Sequence, residues 1–394
     1  MRPLLMPSTA SALLLVAAVL LTACSGSHNN PAAHTPTSWV SDVIPAYHPA
    51  PSPTPTPIPT PVPTPAAPPA DHIQLPEGFA AFVVAEGIDR PSSIAIDEQG
   101  RLFVAQTDGP VLRLEDLNGD GLYENLVEYV GGFQVVSGLA FSPKGELYVS
   151  SQGRVSVVHD LNRDGRGDQV EDIVSGLPNY RHQNNGIAFG PDGKLYITNG
   201  STCDDCIEAD PRSATILQAN PDGSELRVYA QGLRNAYDLV FTPDGQLWAT
   251  DNGADLPCTT VDEFNLIIEG ADYGWPYSPT CDALHPREGA RPPTVAMGLH
   301  TSSDGIDYYE SGAFPEEYWG NFFVAQFGQF SPLVGDPSLG KKVVLVRRSG
   351  SSYEVLDFAL GFLSPLDVRV DTDGSLLVVD WATDWLYRIM YVGS

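Results

Sequence analysis

The chain has few basic residues. Its 21 Lys and Arg face 49 Asp and Glu, a formal net charge of −28. Phosphate binding needs a field of the opposite sign, so nucleic acid and anionic lipid are excluded as principal partners, and the acidic excess reads as a well-solvated extracellular surface. Nucleotide-binding signatures are missing too. No G-x-G-x-x-G follows a strand to open a helix, and no G-x-x-x-x-G-K-[ST] occurs, so neither NAD in a Rossmann domain nor a phosphate-cradling loop is expected. No G-x-S-x-G elbow points to a serine hydrolase. Long amphipathic helices are lacking, and the apolar run from Ala12 to Leu21 is too short to span a bilayer comfortably.

What is present begins with an export signal. Arg2 precedes the apolar run, which ends in Leu21-Thr22-Ala23-Cys24, small residues before a cysteine. This resembles a bacterial lipoprotein signal over residues 1–23, implying cleavage and a lipid on Cys24; an ordinary secretory signal is the alternative. Either reading places the protein outside the cytoplasm, at the cell surface or facing the periplasm, with the lipid as its one membrane contact. Residues 24–70 read as a tether. Between Pro49 and Pro69 alternate positions are mostly proline, which favours an extended polyproline helix reaching on the order of 60 Å. The folded part is expected over 71–394. Four further cysteines, Cys203, Cys206, Cys258 and Cys281, suggest two disulfides in an exported protein, with 203–206 and 258–281 the preferred pairing. A four-cysteine zinc site competes, weakened by Asp204-Asp205 and by the oxidising compartment.

One unit recurs six times, at residues 94–106, 139–151, 187–199, 239–251, 306–326 and 368–380. In each, apolar residues alternate up to a Gly-bearing turn and alternate again after it, the pattern of two half-buried antiparallel strands. The fifth copy has a longer turn with Phe314-Pro315. A third strand often follows, as in 111–115, 154–160, 214–220, 343–347 and 386–390. Repeats spaced at roughly 45 to 70 residues predict an all-β, six-bladed β-propeller, in which radial closure leaves few exposed sheet edges.

The polar entries to two of these units hold the reactive side chains: His182 before the third, Arg234 and Asn235 before the fourth. In a propeller such entries converge on the central channel. A neutral imidazole there takes a proton from a sugar hydroxyl, or simply hydrogen-bonds loop backbone. Arg234 suits a carboxylate or a developing oxyanion, or else an ion pair clipping neighbouring blades. Two loops have calcium-type spacing. Asp160, Asn162, Asp164, Asp168 and Glu171 fall at positions 1, 3, 5, 9 and 12 of an EF-hand-like loop with Gly165 at position 6. Asp116, Asn118, Asp120 and Glu124 copy its first part, but Val127 stands in the closing position. These loops are either calcium sites or acidic turns.

Taken together, 182-HQNNGIAFGPDGKLYITNGS-201, 232-GLRNAYDLVFTPDGQLWATDNGAD-255 and 262-DEFNLIIEGADYGWP-276 resemble the glucose/sorbosone dehydrogenase family, soluble-type PQQ-dependent enzymes on a six-bladed propeller. The resemblance runs from about Leu75 to Tyr391. It implies oxidation of an aldose or aldehyde sugar at C1, hydride passing to the quinone, with PQQ and Ca²⁺ as cofactors and an unspecified onward electron acceptor. His182 then matches the general base, and Arg234 and Asn235 the pair that contacts PQQ. Gly253 and Ala254 match carbonyl ligands of the PQQ-bound calcium, Glu263 and Tyr273 a second calcium position, and Gln134 with Lys341 or Lys342 further cofactor contacts. The chain departs from the pattern at Ser201, where an acidic partner of the histidine is usual, and at Ser364 and Leu366, where arginines are expected. Those departures favour a second class, a non-catalytic propeller binding a glycan or protein partner. A gluconolactonase-like hydrolase finds no matching Glu-Asn-Asn-Asp set.

Overall fold

The computed structural model describes residues 64–255, 260–276, 288–329 and 339–393; Cys24, Cys258 and Cys281 lie outside them. The described residues form twenty-four strands in six four-stranded antiparallel sheets, with one 3₁₀ turn (Glu316–Tyr318) and no α-helix. This is the six-bladed propeller that the repeats predict. Strand β1 (Phe79–Glu86) stands apart from the first blade. That blade is β2 (Pro91–Ile96), β3 (Leu102–Gln106), β4 (Val111–Glu115) and β5 (Asn125–Val130), and the second is β6 (Gly138–Phe141), β7 (Leu147–Ser151), β8 (Arg154–His159) and β9 (Gln169–Ser175). The third is β10 (Asn184–Phe189), β11 (Leu195–Asn199), β12 (Thr215–Ala219) and β13 (Arg227–Gln231); the fourth is β14 (Ala236–Phe241), β15 (Leu247–Asp251), β16 (Val261–Ile267) and β17 (Val295–Leu299). Blade five is β18 (Ser303–Tyr309), β19 (Asn321–Gln326), β20 (Lys342–Ser349) and β21 (Ser352–Leu360), and blade six is β22 (Pro365–Val370), β23 (Leu376–Asp380) and β24 (Trp385–Tyr391), completed by β1.

The repeated units are the first two strands of each blade, joined by tight turns that end in a left-handed glycine such as Gly193 (φ 74°) or Gly245 (φ 83°). Alternation failed to mark β16 because its second and third residues, Asp262 and Glu263, are buried carboxylates where a strand pattern wants apolar side chains. The outer strands, such as β9 with four exposed residues in succession, pack on one side only and leave little periodic signal. Strand β1 pairs antiparallel with β24 from Phe79↔Tyr391 to Glu86↔Trp385, so one end of the propeller sequence closes the sheet made by the other. Phe79 seals that seam with edge-on contacts to Phe314, Tyr318, Phe358 and Tyr391 at centroid distances of 4.8–5.2 Å.

Around the axis, each inner strand is bonded to the next by a side chain. Leu139 N–H donates to Ser93 Oγ (3.1 Å), Ser137 Oγ to Asn184 O (3.0 Å) and Asn185 Nδ2 to Ala236 O (3.2 Å). Ile306 N–H donates to Asp238 Oδ2 (3.2 Å), Val370 N–H to Asp307 Oδ2 (2.7 Å), and Ile94 N–H to Asp367 Oδ2 (2.7 Å), which completes the circle. The approach is so close that a Cβ on Gly305 would lie 2.3 Å from Asp367 Oδ1. Burial raises the carboxyls of Asp238, Asp307 and Asp367 above the ordinary range, and Arg369, 3.7–3.9 Å from all three, opposes that rise.

Removing Arg369 therefore leaves three crowded carboxylates without their cation. Arg369→Met is expected to cost about 3–5 kcal/mol at pH 7. The cost should shrink as pH falls toward 4.5, because raised carboxyls take up protons and no longer need a counter-charge. Urea unfolding at the two pH values measures it; an equal loss at both would show that packing, not charge, is what Arg369 supplies.

Candidate functional site

The inner strands begin at one face of the propeller, and there the entry loops surround a cleft of about 410 Å³. Ser92, Ser137, Asn185, Tyr237 and Leu366 reach it from inner strands or the residues just before them. His182 and Gln183 line it from the loop entering β10, and Asn235 from the loop entering β14. Its walls are mostly amide, hydroxyl and aromatic. Tyr180 is 90% exposed at the rim, while Phe327 and Trp381 pack with ring centroids 5.9 Å apart. Such surfaces suit a neutral polyhydroxylated ligand, whose C–H faces stack on rings and whose hydroxyls meet amides.

His182 is held by the residue that replaced the expected acid. Its Nδ1 lies 3.0 Å from Ser201 Oγ. The Ser201 hydroxyl donates its one proton to Cys203 O at 2.6 Å, so towards His182 it accepts. Nδ1 therefore carries the imidazole proton, and Nε2 keeps its lone pair. Loss of solvent, aided by the positive charges of Arg234 and Arg181, pushes the His182 pKa down to about 3. The ring is therefore a neutral proton acceptor at neutral pH.

Arg234 is placed differently from Asn235. Asn235 lines the cleft, its Oδ1 taking a bond from Asn185 Nδ2 at 2.9 Å. The Arg234 side chain is only 3% exposed and is absent from the cleft lining. Its Nη1 donates to Asn252 O (3.0 Å), its Nε to Asp204 O (3.1 Å), and its Nη2 to the Asp204 carboxylate. Asp204 sits in the β11–β12 loop of blade three and Arg234 at the entry of blade four, so this pair clips two blades. Asp204 also lies 3.5 Å from Arg181 Nε and accepts Asp255 N–H at 3.2 Å. It is carried between Cys203 and Cys206, which form the expected disulfide.

The remaining candidates scatter. Gln134 is exposed and does not line the cleft; Val135, Val136 and Gln152 do. Lys342 reaches Asp357 on β21, and neither Lys341 nor Lys342 lines the cleft. Gly253 and Ala254 are buried at the end of β15, where Ala254 O accepts Thr260 N–H at 3.1 Å. Tyr273 Oη donates to Leu266 O (2.7 Å) and accepts Ile268 N–H (2.9 Å), clipping the end of β16. Glu263 is buried opposite Asp251 and takes Asn265 Nδ2 at 2.9 Å, so the structure uses Tyr273 and Glu263 in different contacts. Ser364 donates to Leu363 O, and Leu366 supplies an apolar wall. His300, whose position the sequence leaves undecided, is buried with Nδ1 3.3 Å from Asp255.

The two acidic loops distribute their calcium-type positions differently. Glu171, at position 12, lies on β9 and faces His159 (3.6 Å). Asp168, at position 9, accepts Leu161 N–H (2.8 Å) and Asn162 N–H (3.1 Å) instead. Glu124 closes the other loop from the same position, accepting Leu117 N–H and Asn118 Nδ2. Asp116, Asp120 and Glu124, the set without a twelfth-position acid, bring carboxylate oxygens within 4.8 Å of one another; among the described residues Asp160, Asp164 and Asp168 do not.

A family model described as "Domain of unknown function (DUF7133)" matches residues 67–387. The chain is also similar to soluble aldose sugar dehydrogenases and PQQ glucose dehydrogenases. Quinoprotein glucose dehydrogenase B of Acinetobacter calcoaceticus is 23% identical over 256 residues, 51% of this chain and 53% of that protein, so the match spans about half of that relative. The PQQ-bound aldose sugar dehydrogenase of Streptomyces coelicolor superposes with a TM-score of 0.60 at 21% identity, covering 80% of this chain and 99% of that one. The holo pyranose dehydrogenase PQQ domain of Coprinopsis cinerea gives 0.67 at 16%, covering 84% and 100%. At these identities the superpositions show a shared fold.

The state of His182 is directly measurable. Nitrogen-15 spectra of the imidazole should show one neutral tautomer, protonated at Nδ1, from pH 8 to 5, with no titration near 6.5. A midpoint in the ordinary histidine range would contradict the desolvated arrangement in which Nδ1 donates to Ser201.

Proposed function

We propose that this chain, which belongs to the DUF7133 family, is an oxidoreductase of the quinoprotein sugar-dehydrogenase type, acting on an aldose or aldehyde sugar at C1. The observation that carries the reading is the free Nε2 of a neutral His182 in a cleft lined by amides and aromatic rings. Similarity to PQQ-dependent dehydrogenases supports it.

PQQ is a tricarboxylate, so the first test of fit is whether the site can bind a carboxylate. It can: Arg234, Arg181 and the Asp255 amide already gather around one, that of Asp204. Asn235 and Gln183 would add amide contacts, and the carbonyls of Gly253 and Ala254 would offer oxygens to calcium, Ala254 sharing its oxygen with Thr260 N–H. When bound, the quinone supplies a two-electron acceptor for hydride. The protein's part is to orient the sugar between Tyr180, Trp381 and the amides, and to take the hydroxyl proton on His182 Nε2 while Ser201 holds Nδ1–H. With Ser364 and Leu366 where cations would stand, recognition of the cofactor's charge rests on Arg181 and Arg234.

The proposal includes export and a lipid on Cys24 ahead of the Pro-rich tether; Cys24→Ala should move the protein out of the membrane fraction, and unchanged partitioning would remove the anchor. The activity is tested by reconstituting the protein with PQQ and Ca²⁺ and assaying an aldose panel with a dye acceptor. Turnover is expected, and His182→Gln should lower kcat by about 10²–10⁴. A protein that binds no quinone at micromolar concentration, yet retains a glycan on the cleft, would instead be the binding propeller that Ser364 and Leu366 favour.

A further inference from the structure

The β11–β12 loop touches both reactive side chains, and its contacts come from one short covalent ring. Cys203 and Cys206 close that ring, and both residues are partly exposed. From inside it, Cys203 O receives the Ser201 hydroxyl that orients His182, while Asp204 O receives Arg234 Nε and Trp275 Nε1, each at 3.1 Å. The Asp204 carboxylate meets Arg234 Nη2, Arg181 Nε and the Asp255 amide. Two guanidiniums and a backbone N–H make an anion site, and the protein fills it with its own carboxylates: Asp204 foremost, while Asp255 pairs with Arg181 Nη2 and lies 3.8 Å from Arg234 Nη2. Arg181 lines the cleft, so the site adjoins the space where a ligand would sit.

We infer that the Cys203–Cys206 loop is a thiol-sensitive latch, which when bridged holds Asp204 in the carboxylate site of Arg234 and Arg181 and when opened yields that site to an external carboxylate. The inference rests on the proposed function only for the identity of that carboxylate. The bridge acts by denying the ring alternative backbone conformations, so that Asp204 loses little entropy on staying bound. Opening is thiol–disulfide exchange with a dithiol. One thiolate attacks a bridge sulfur, the S–S bond breaks to a mixed disulfide, and the second thiol resolves it. Two electrons and two protons pass from the dithiol, which leaves as a disulfide, to give the Cys203 and Cys206 thiols.

The test reads Arg234 itself, without a quinone. Full-length protein is treated with phenylglyoxal before and after a dithiol, and adducts are mapped by mass spectrometry with the half-buried Arg347, paired with Glu354 and remote from the bridge in sequence, as reference. Cys203→Ser/Cys206→Ser confines the effect to this bridge, and Asp204→Asn, which keeps the disulfide, covers the case in which the double variant does not fold. Arg234 labelling relative to Arg347 is expected to rise about tenfold in each opened form, the shift that removing one competing intramolecular anion produces. Arg234 equally protected in all forms overturns the latch. PQQ titration separates the two ideas. Affinity about tenfold tighter in Asp204→Asn and in reduced protein supports both, and equal affinity throughout overturns the latch while keeping the quinone reading. Labelling that rises while no form binds quinone keeps the latch and removes the quinone.

Discussion

The circle of side-chain hydrogen bonds at the axis is the constraint on which the rest of the structure depends. Six sheets splay outward from it, each anchored to the next through Ser93, Ser137, Asn185, Asp238, Asp307 or Asp367. Bonds of this kind demand that inner strands approach closely, which is why glycine stands where a Cβ would meet the neighbouring aspartate. Half of them are made by buried carboxylates, and those in turn require Arg369 in their midst. Pairing of β1 with β24 then locks the circle, because a ring held at its centre and closed at its rim cannot open one blade at a time.

That rigid frame delivers the entry loops to one cleft. What the loops do there is governed by charge. His182 is half-buried at the cleft near Arg181 and Arg234, and partial loss of solvent with those two charges keeps its imidazole neutral without an acidic partner, so Ser201 needs only to select the tautomer. An aspartate at position 201 would have favoured the imidazolium. Asp204 provides the missing negative charge one loop turn away, but spends it on the two guanidiniums.

Much of this was legible in the sequence. The six units announced their strands by alternation about a turn, although the second strand of most is buried along its whole length and not on one face only; His182, Asn235 and the 203–206 disulfide followed from position and compartment. Arg234 was legible as a cation, with an ion pair clipping neighbouring blades as one of its two expected roles. Its partner was not, because Asp204 lies 30 residues away in sequence, in a motif that weighed only on the choice between disulfide and zinc. Arg181, Tyr180 and Trp381 gave no periodic signal, since loop residues converge by blade geometry and not by spacing. The acidic loops show a related limit: spacing names ligand positions without saying that Glu171 stands on β9, which begins at Gln169.

The sequence by itself determined the architecture, because alternation and turn glycines are local properties that each unit states independently six times. It also determined the acidic surface and the chemical identities available at the channel mouth. Only the tertiary structure decided which of those identities face the cleft, which proton His182 keeps, and that Arg234 is held by Asp204. These depend on distances between loops from different blades, and such distances are set by ring closure, a global condition that no single stretch of chain encodes.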